Sequence, residues 1–117
     1  MFLILMLALF GNPIEVRSEY VCHGNSPNGT YDILLSVEKK EANYNLTWKT
    51  NEVQAKGVGI RDGNNLAVLY VNPKGMGGVM LYRVSRGGLD GIWSGGDGKV
   101  YTETCTVGVA SMAEDEQ

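Results

Sequence analysis

The chain is predicted to be all-β: an eight-stranded antiparallel meander closed into a small barrel, with a β-sandwich as the alternative. Three observations carry this prediction. Short runs alternate apolar and polar residues with period two. Clusters of Gly, Asn, Asp and Pro separate them at close spacing. No stretch after the first eighteen residues repeats apolar residues at helical spacing. Turns this short join strands that are neighbours in space, which gives a meander. Closing the sheet removes its two exposed edges, which favours the barrel.

The runs follow in order. Tyr20-Val21-Cys22-His23-Gly24 opens the set. From Thr30, TYDILLSVEK sets Ile33, Leu35 and Val37 on one face against Asp32, Ser36 and Glu38 on the other. In YNLTWK, Tyr44, Leu46 and Trp48 alternate with Asn45, Thr47 and Lys49. VQAKGVGIR leads to the turn Asp62-Gly63-Asn64-Asn65, and LAVLYV leads to the turn Asn72-Pro73-Lys74-Gly75. GVMLYRV runs from Gly78 to Val84, and Arg86-Gly87-Gly88 turns the chain into LDGIWS. The glycine-rich stretch Gly95 to Gly98 precedes KVYTETCTV, the last strand. LAVLYV and GVMLY are apolar on both faces, so their outer side either lies under a cover or forms an apolar patch.

The amino terminus carries an unbroken apolar run, FLILMLALF, over residues 2–10. A bilayer-spanning helix needs about 20 apolar residues, so the run fits the core of a secretory signal peptide instead. Gly11, Asn12 and Pro13 break any helix, and Val16-Arg17-Ser18 offers a cleavage site, although no Lys or Arg precedes the run. The expected organisation is a signal peptide at 1–18, a barrel domain at 19–108 and an acidic, disordered tail at 109–117. Export to the periplasm or the cell exterior follows from it. The net charge of −3 is unchanged by cleavage, because Glu15 and Arg17 leave together. Glu114, Asp115 and Glu116 place that charge in the tail, so the body is near neutral. A neutral body without a basic cluster excludes nucleic acid and a polybasic membrane anchor as partners. No membrane span is expected in the mature chain.

Of the two cysteines, Cys22 sits beside His23, the single histidine. Val21 and the distance from the apolar run rule out a lipid-anchor motif. A metal centre needs three or four ligands, and adjacent strand residues point to opposite faces, so no metal or cofactor is expected. The same geometry denies Cys22 a base and hence a nucleophile's role. A Cys22–Cys105 disulfide remains, joining the first strand to the last in an oxidising compartment.

The series YVCHGNSPNGTY, YNLTW, GVGI, LAVLY, VMLYRV, GGLDGIW and TET resembles a family of small exported bacterial β-barrel proteins of largely unknown function, some labelled fibronectin-binding. The resemblance covers Tyr20 to about Thr104 and implies an exported barrel with no catalytic residues. The register Gly87-Gly88-Leu89-Asp90-Gly91-Ile92-Trp93 is also loosely similar to strands of the avidin and lipocalin barrels, without their ligand residues.

Candidate chemistry is sparse. Gly57-x-Gly59-x-x-x-Gly63 precedes a strand where a dinucleotide loop requires a helix, and GGDGK lacks the phosphate-loop register. Asp90 and Glu103 are the carboxylate pair to consider for acid–base work, and each is expected to face solvent on the outer side of its strand. No enzyme is expected: the catalytic set is empty. Trp48, Tyr82 and Trp93 are the candidate ligand-lining residues if they point inward, although a barrel of eight strands is just wide enough for side chains to fill it, and a filled interior is expected. The leading expectation is an exported, monomeric, non-enzymatic binding or interaction domain acting through its surface. Alternatives are a carrier of a small apolar ligand and an inhibitor of a lysozyme or protease.

Overall fold

The computed structural model describes residues 13–108. The expected leader run and acidic tail lie outside them. Eight strands follow one another: β1 (Glu19–Ser26), β2 (Gly29–Lys40), β3 (Asn43–Lys49), β4 (Val53–Asp62), β5 (Asn65–Val71), β6 (Gly77–Val84), β7 (Gly88–Ser94) and β8 (Tyr101–Val107). Each pairs antiparallel with its sequence neighbours, and β8 returns to β1, so the sheet is a closed barrel. The predicted meander and closure are what the chain adopts. The boundaries differ by a residue or two. Lys99 and Val100 stay in the last loop, because the Lys99 amide donates to Asp97 Oδ1 (2.9 Å) instead of joining a ladder.

At the seam, Tyr20 pairs with Val107, Cys22 with Cys105 and Gly24 with Glu103. Directly opposed cysteines are bridged, and the Cys22–Cys105 disulfide closes a separation of 83 residues inside the barrel. Both halves are buried. His23, on the opposite face of β1, is exposed and pairs with Asp32 across the strand.

Period-two alternation decides which side chains point in. Leu35, Leu46, Leu66, Val84 and Leu89 fill the end of the barrel that holds the β2–β3, β4–β5 and β6–β7 turns, here called the base. Ile14 and Val16, ahead of the first strand, pack against this core. Ser18 continues the sheet by accepting the Val37 amide (2.9 Å). The other end, the mouth, carries the β1–β2, β3–β4, β5–β6 and β7–β8 connections. Its β5–β6 loop is ordered by Asn72, whose Oδ1 accepts from the amides of Lys74 (3.0 Å) and Met76 (2.9 Å). Opposite Trp48 and Lys49, the extra residue Gln54 makes a bulge that bends β4 at the mouth.

The interior is not filled throughout, contrary to the sequence expectation. Near the mouth several inward positions are glycines, each lying under a large ring from a neighbouring strand. A Cβ on Gly91 would come within 2.6 Å of the Tyr82 ring, and one on Gly57 within 3.1 Å of Trp48. Gly24 and Gly78 stand in the same relation to Tyr31 and Tyr70. A glycine contributes no side-chain volume, so the rings reach over these positions and leave space between them. Among the described residues no helix is long and apolar enough to cross a membrane.

Candidate functional site at the barrel mouth

The space is a cavity of about 340 Å³, walled by Tyr31, Trp48, Tyr70 and Trp93, with Ala55 and Met80 between them and Glu103 at its floor. Strand alternation positions every wall. Tyr31 shares the phase of Leu35 and Val37 on β2, Tyr70 that of Leu66 and Val68 on β5, and Trp93 that of Leu89 on β7.

The rings meet edge to face. Tyr31 and Trp93 have centroids 6.3 Å apart at 62°. Trp93 and Tyr70 stand 6.2 Å apart at 78°, and Tyr70 and Trp48 stand 6.0 Å apart at 66°. Steeply angled neighbours form consecutive walls of a box, an arrangement that aromatic quadrupoles favour. Behind Trp93, the Tyr101 ring packs at 4.8 Å and is held by its hydroxyl donating to Asp97 Oδ2 (2.6 Å).

Glu103 completes the circuit. It is only 2% exposed and lies inside the barrel, so the expectation of a solvated carboxylate is corrected. The reason lies in phase: Glu103 sits between Tyr101 and Cys105 on the inward face of β8, while Thr102, Thr104 and Thr106 take the outer one. Asp90 is exposed on the outside of β7, as expected, so the two carboxylates form no pair. Tyr31 donates its hydroxyl proton to Glu103 Oε1 (2.7 Å). Tyr82 donates to Oε2, and the Trp48 indole N–H is shared between Oε2 (3.3 Å) and the Tyr82 oxygen (3.2 Å). The Cys105 sulfur, consumed in the disulfide, lies 3.5 Å from Oε2.

This network shapes the phenols. Burial raises the pKa of Tyr31, and the negative charge of Glu103 and its acceptance of the Tyr31 proton raise it further. Tyr82 is pushed well above the usual phenol value by the same causes in the same order. Tyr70 is raised first by burial and then by the Glu103 charge. The hydroxyls of Tyr31 and Tyr82 therefore stay protonated and act as fixed donors.

Of the residues singled out from sequence, Trp48 and Trp93 line the cavity together. Tyr82 does not reach it; fully buried below the floor, it holds Glu103 in place. Tyr31 and Tyr70 are not among the ligand-lining candidates of the sequence, and Glu103 is singled out there only as a carboxylate facing solvent. Trp93 also keeps a buried indole N–H without an acceptor, near Tyr31 but outside hydrogen-bond geometry.

A second feature lies outside. The outer faces of β4 to β7 form two apolar rows in register, Ile60-Ala67-Leu81-Ile92 and Val58-Leu69-Val79. Leu69 is 68% and Ile60 62% exposed, so the two-faced apolar strands present an open patch rather than a covered one.

Comparison of the chain with protein-family models, curated proteins and solved structures gives no match.

Proposed function

We propose that this protein is an exported, non-enzymatic carrier that holds a small, largely apolar ligand with one polar group in the mouth of its barrel. The cavity carries this reading. Its volume of about 340 Å³ lies within the roughly 300–1,000 Å³ usual for small-molecule sites. Its composition fits too, with aromatic walls, a buried carboxylate at the floor, and Ser26, Asp32, Thr50 and Gln54 as further polar lining. The buried disulfide supports an oxidising compartment and hence export. The second carboxylate of the lining, Asp32, is exposed and paired with His23, while Glu103 is buried among Tyr31, Tyr82 and Trp48, which supports binding over acid–base chemistry.

Both tryptophans of the chain line the cavity, so intrinsic fluorescence tests the reading. In a titration with small amphipathic compounds, at least one gives a saturable change in emission. Ala55→Phe, which fills the space from the β4 wall, abolishes it. A folded protein whose emission no compound changes rules the carrier out.

The exposed apolar rows favour a second reading, in which the outer face of β4 to β7 binds a second copy of this chain. Turned end for end, the copy sets small Ala67 against bulky Leu69 and Lys56 against Asp62, which flank the apolar Val58 and Ile60 on β4. This departs from the monomer expected from sequence. Sedimentation equilibrium reads it: a dimer that dissociates in Leu69→Lys supports the reading, and a monomer at every concentration removes it.

A further inference from the structure

We infer that the polar group of the ligand is cationic, so that the barrel mouth is a site for a small organic ammonium ion. The inference rests on the carrier reading and deepens it. Two observations point to it.

The first is Glu103. Buried ionised groups are normally paired with an opposite charge, because hydrogen bonds alone replace only part of the hydration lost. Glu103 is hydrogen-bonded by three side chains, Tyr31, Tyr82 and Trp48, all of them neutral. Among the described residues it forms no ion pair, and no Lys, Arg or His lines the cavity. Those three donors fix the carboxylate in position without cancelling its charge. The missing countercharge is what a cationic ligand brings.

The second is the box. Cations bind to the faces of Trp and Tyr rings within about 6 Å of the centroid, and several rings around one space attract a single cation together. Tyr31, Trp93, Tyr70 and Trp48 follow one another as angled walls, and Glu103 joins the first to the last through hydrogen bonds to both. Four π-systems and the buried Glu103 carboxylate therefore border one space, whose lining also includes the exposed Asp32. An apolar ligand would use the walls and strand the charge. An anion would meet both the carboxylate and the negative ring faces. An alkylated ammonium ion matches both features: its apolar shell fits the walls, and its charge faces the floor.

The test compares each cation with a neutral molecule of the same shape. Choline and acetylcholine are titrated calorimetrically against the full disulfide-bonded protein, beside their carbon analogues 3,3-dimethylbutan-1-ol and 3,3-dimethylbutyl acetate. The expected result is binding of the cations about tenfold or more tighter than the analogues. In Glu103→Gln that preference falls to near parity, with circular dichroism and intact mass confirming a folded, bridged barrel. Should Glu103→Gln fail to fold, Tyr70→Leu takes its place; it leaves the Glu103 hydrogen bonds intact and weakens the cations more than the analogues. Equal affinities, or tighter binding of the analogues, overturn the cationic class and leave the carrier standing. Silence from all four probes, with amphipathic compounds still changing the tryptophan emission, also overturns it. Silence from the amphipathic compounds as well removes the carrier reading with it.

Discussion

The Tyr82 hydroxyl donates its proton to Glu103 in the interior of the barrel, joining β6 to β8 across the strand between them. The bond places a carboxylate beneath an aromatic box and fixes its orientation before any ligand arrives. The following outcomes depend on this network and on the walls above it.

Removing the carboxylate leaves three donors facing an apolar core. A buried donor without a partner costs about 1–3 kcal/mol. Glu103→Ala is therefore expected to lower stability by roughly 3 kcal/mol or more, and Tyr82→Phe by about 1 kcal/mol. Urea unfolding measures both. A Glu103→Ala midpoint equal to that of the parent would contradict the network's role.

Glycine positions separate by what a methyl group meets. At Gly91 it meets the Tyr82 ring at 2.6 Å, and at Gly87 nothing lies within 4 Å. Gly91→Ala is expected to cost about 1–3 kcal/mol by displacing Tyr82 from Glu103. Gly87→Ala is expected to stay within about 0.5 kcal/mol of the parent. Thermal unfolding of the pair shows the contrast, and equal effects would contradict it.

The disulfide closes 83 residues and is buried on both sides. Chain entropy gives it about 4 kcal/mol of stabilisation. Dithiothreitol is expected to reduce it slowly in the folded protein and rapidly in urea. A bridge reduced at the same rate in both would mean that the seam opens without unfolding.

Alkaline pH acts through the phenols. Tyr31 and Tyr82 have folded-state pKa values raised above the ~10 of an unfolded chain, so above that pH the folded state keeps protons that the unfolded state releases. Their contribution to stability is fully present below about pH 10 and is lost as pH rises beyond it. Absorbance at the phenolate band should show some of the six tyrosines ionising only when the barrel unfolds. Six reversible ionisations in an intact fold would contradict this.

Much of the fold was legible because alternation and turn chemistry are local signals. Trp48 follows Tyr44 and Leu46 at period two, and Asp62-Gly63-Asn64-Asn65 marks a turn whose Gly63 adopts a φ of 62°. Opposed strand ends with one cysteine each made the bridge legible as well. The cavity floor was not, because a glutamate by residue type points to solvent, whereas its phase with Tyr101 and Cys105, against three outward threonines, places it inside. Tyr31 and Tyr70 carry the same signal in β2 and β5. The empty space itself depends on which glycine lies under which ring, a relation set by register between strands and absent from any single stretch of sequence.

The most direct test of the mouth as the binding site is a nitrogen–proton correlation spectrum recorded as ligand is added. The chain gives two indole N–H signals, from Trp48 and Trp93, both on the cavity wall. With choline, or with whichever amphipathic compound changes the fluorescence, both indole signals and the amides of Tyr31 and Tyr70 are predicted to shift. The amides of Leu69, Val79 and Leu81 should then move only as far as their distance from the cavity allows. Shifts confined to the outer face of β4 to β7, with both indole signals unmoved, would contradict the account.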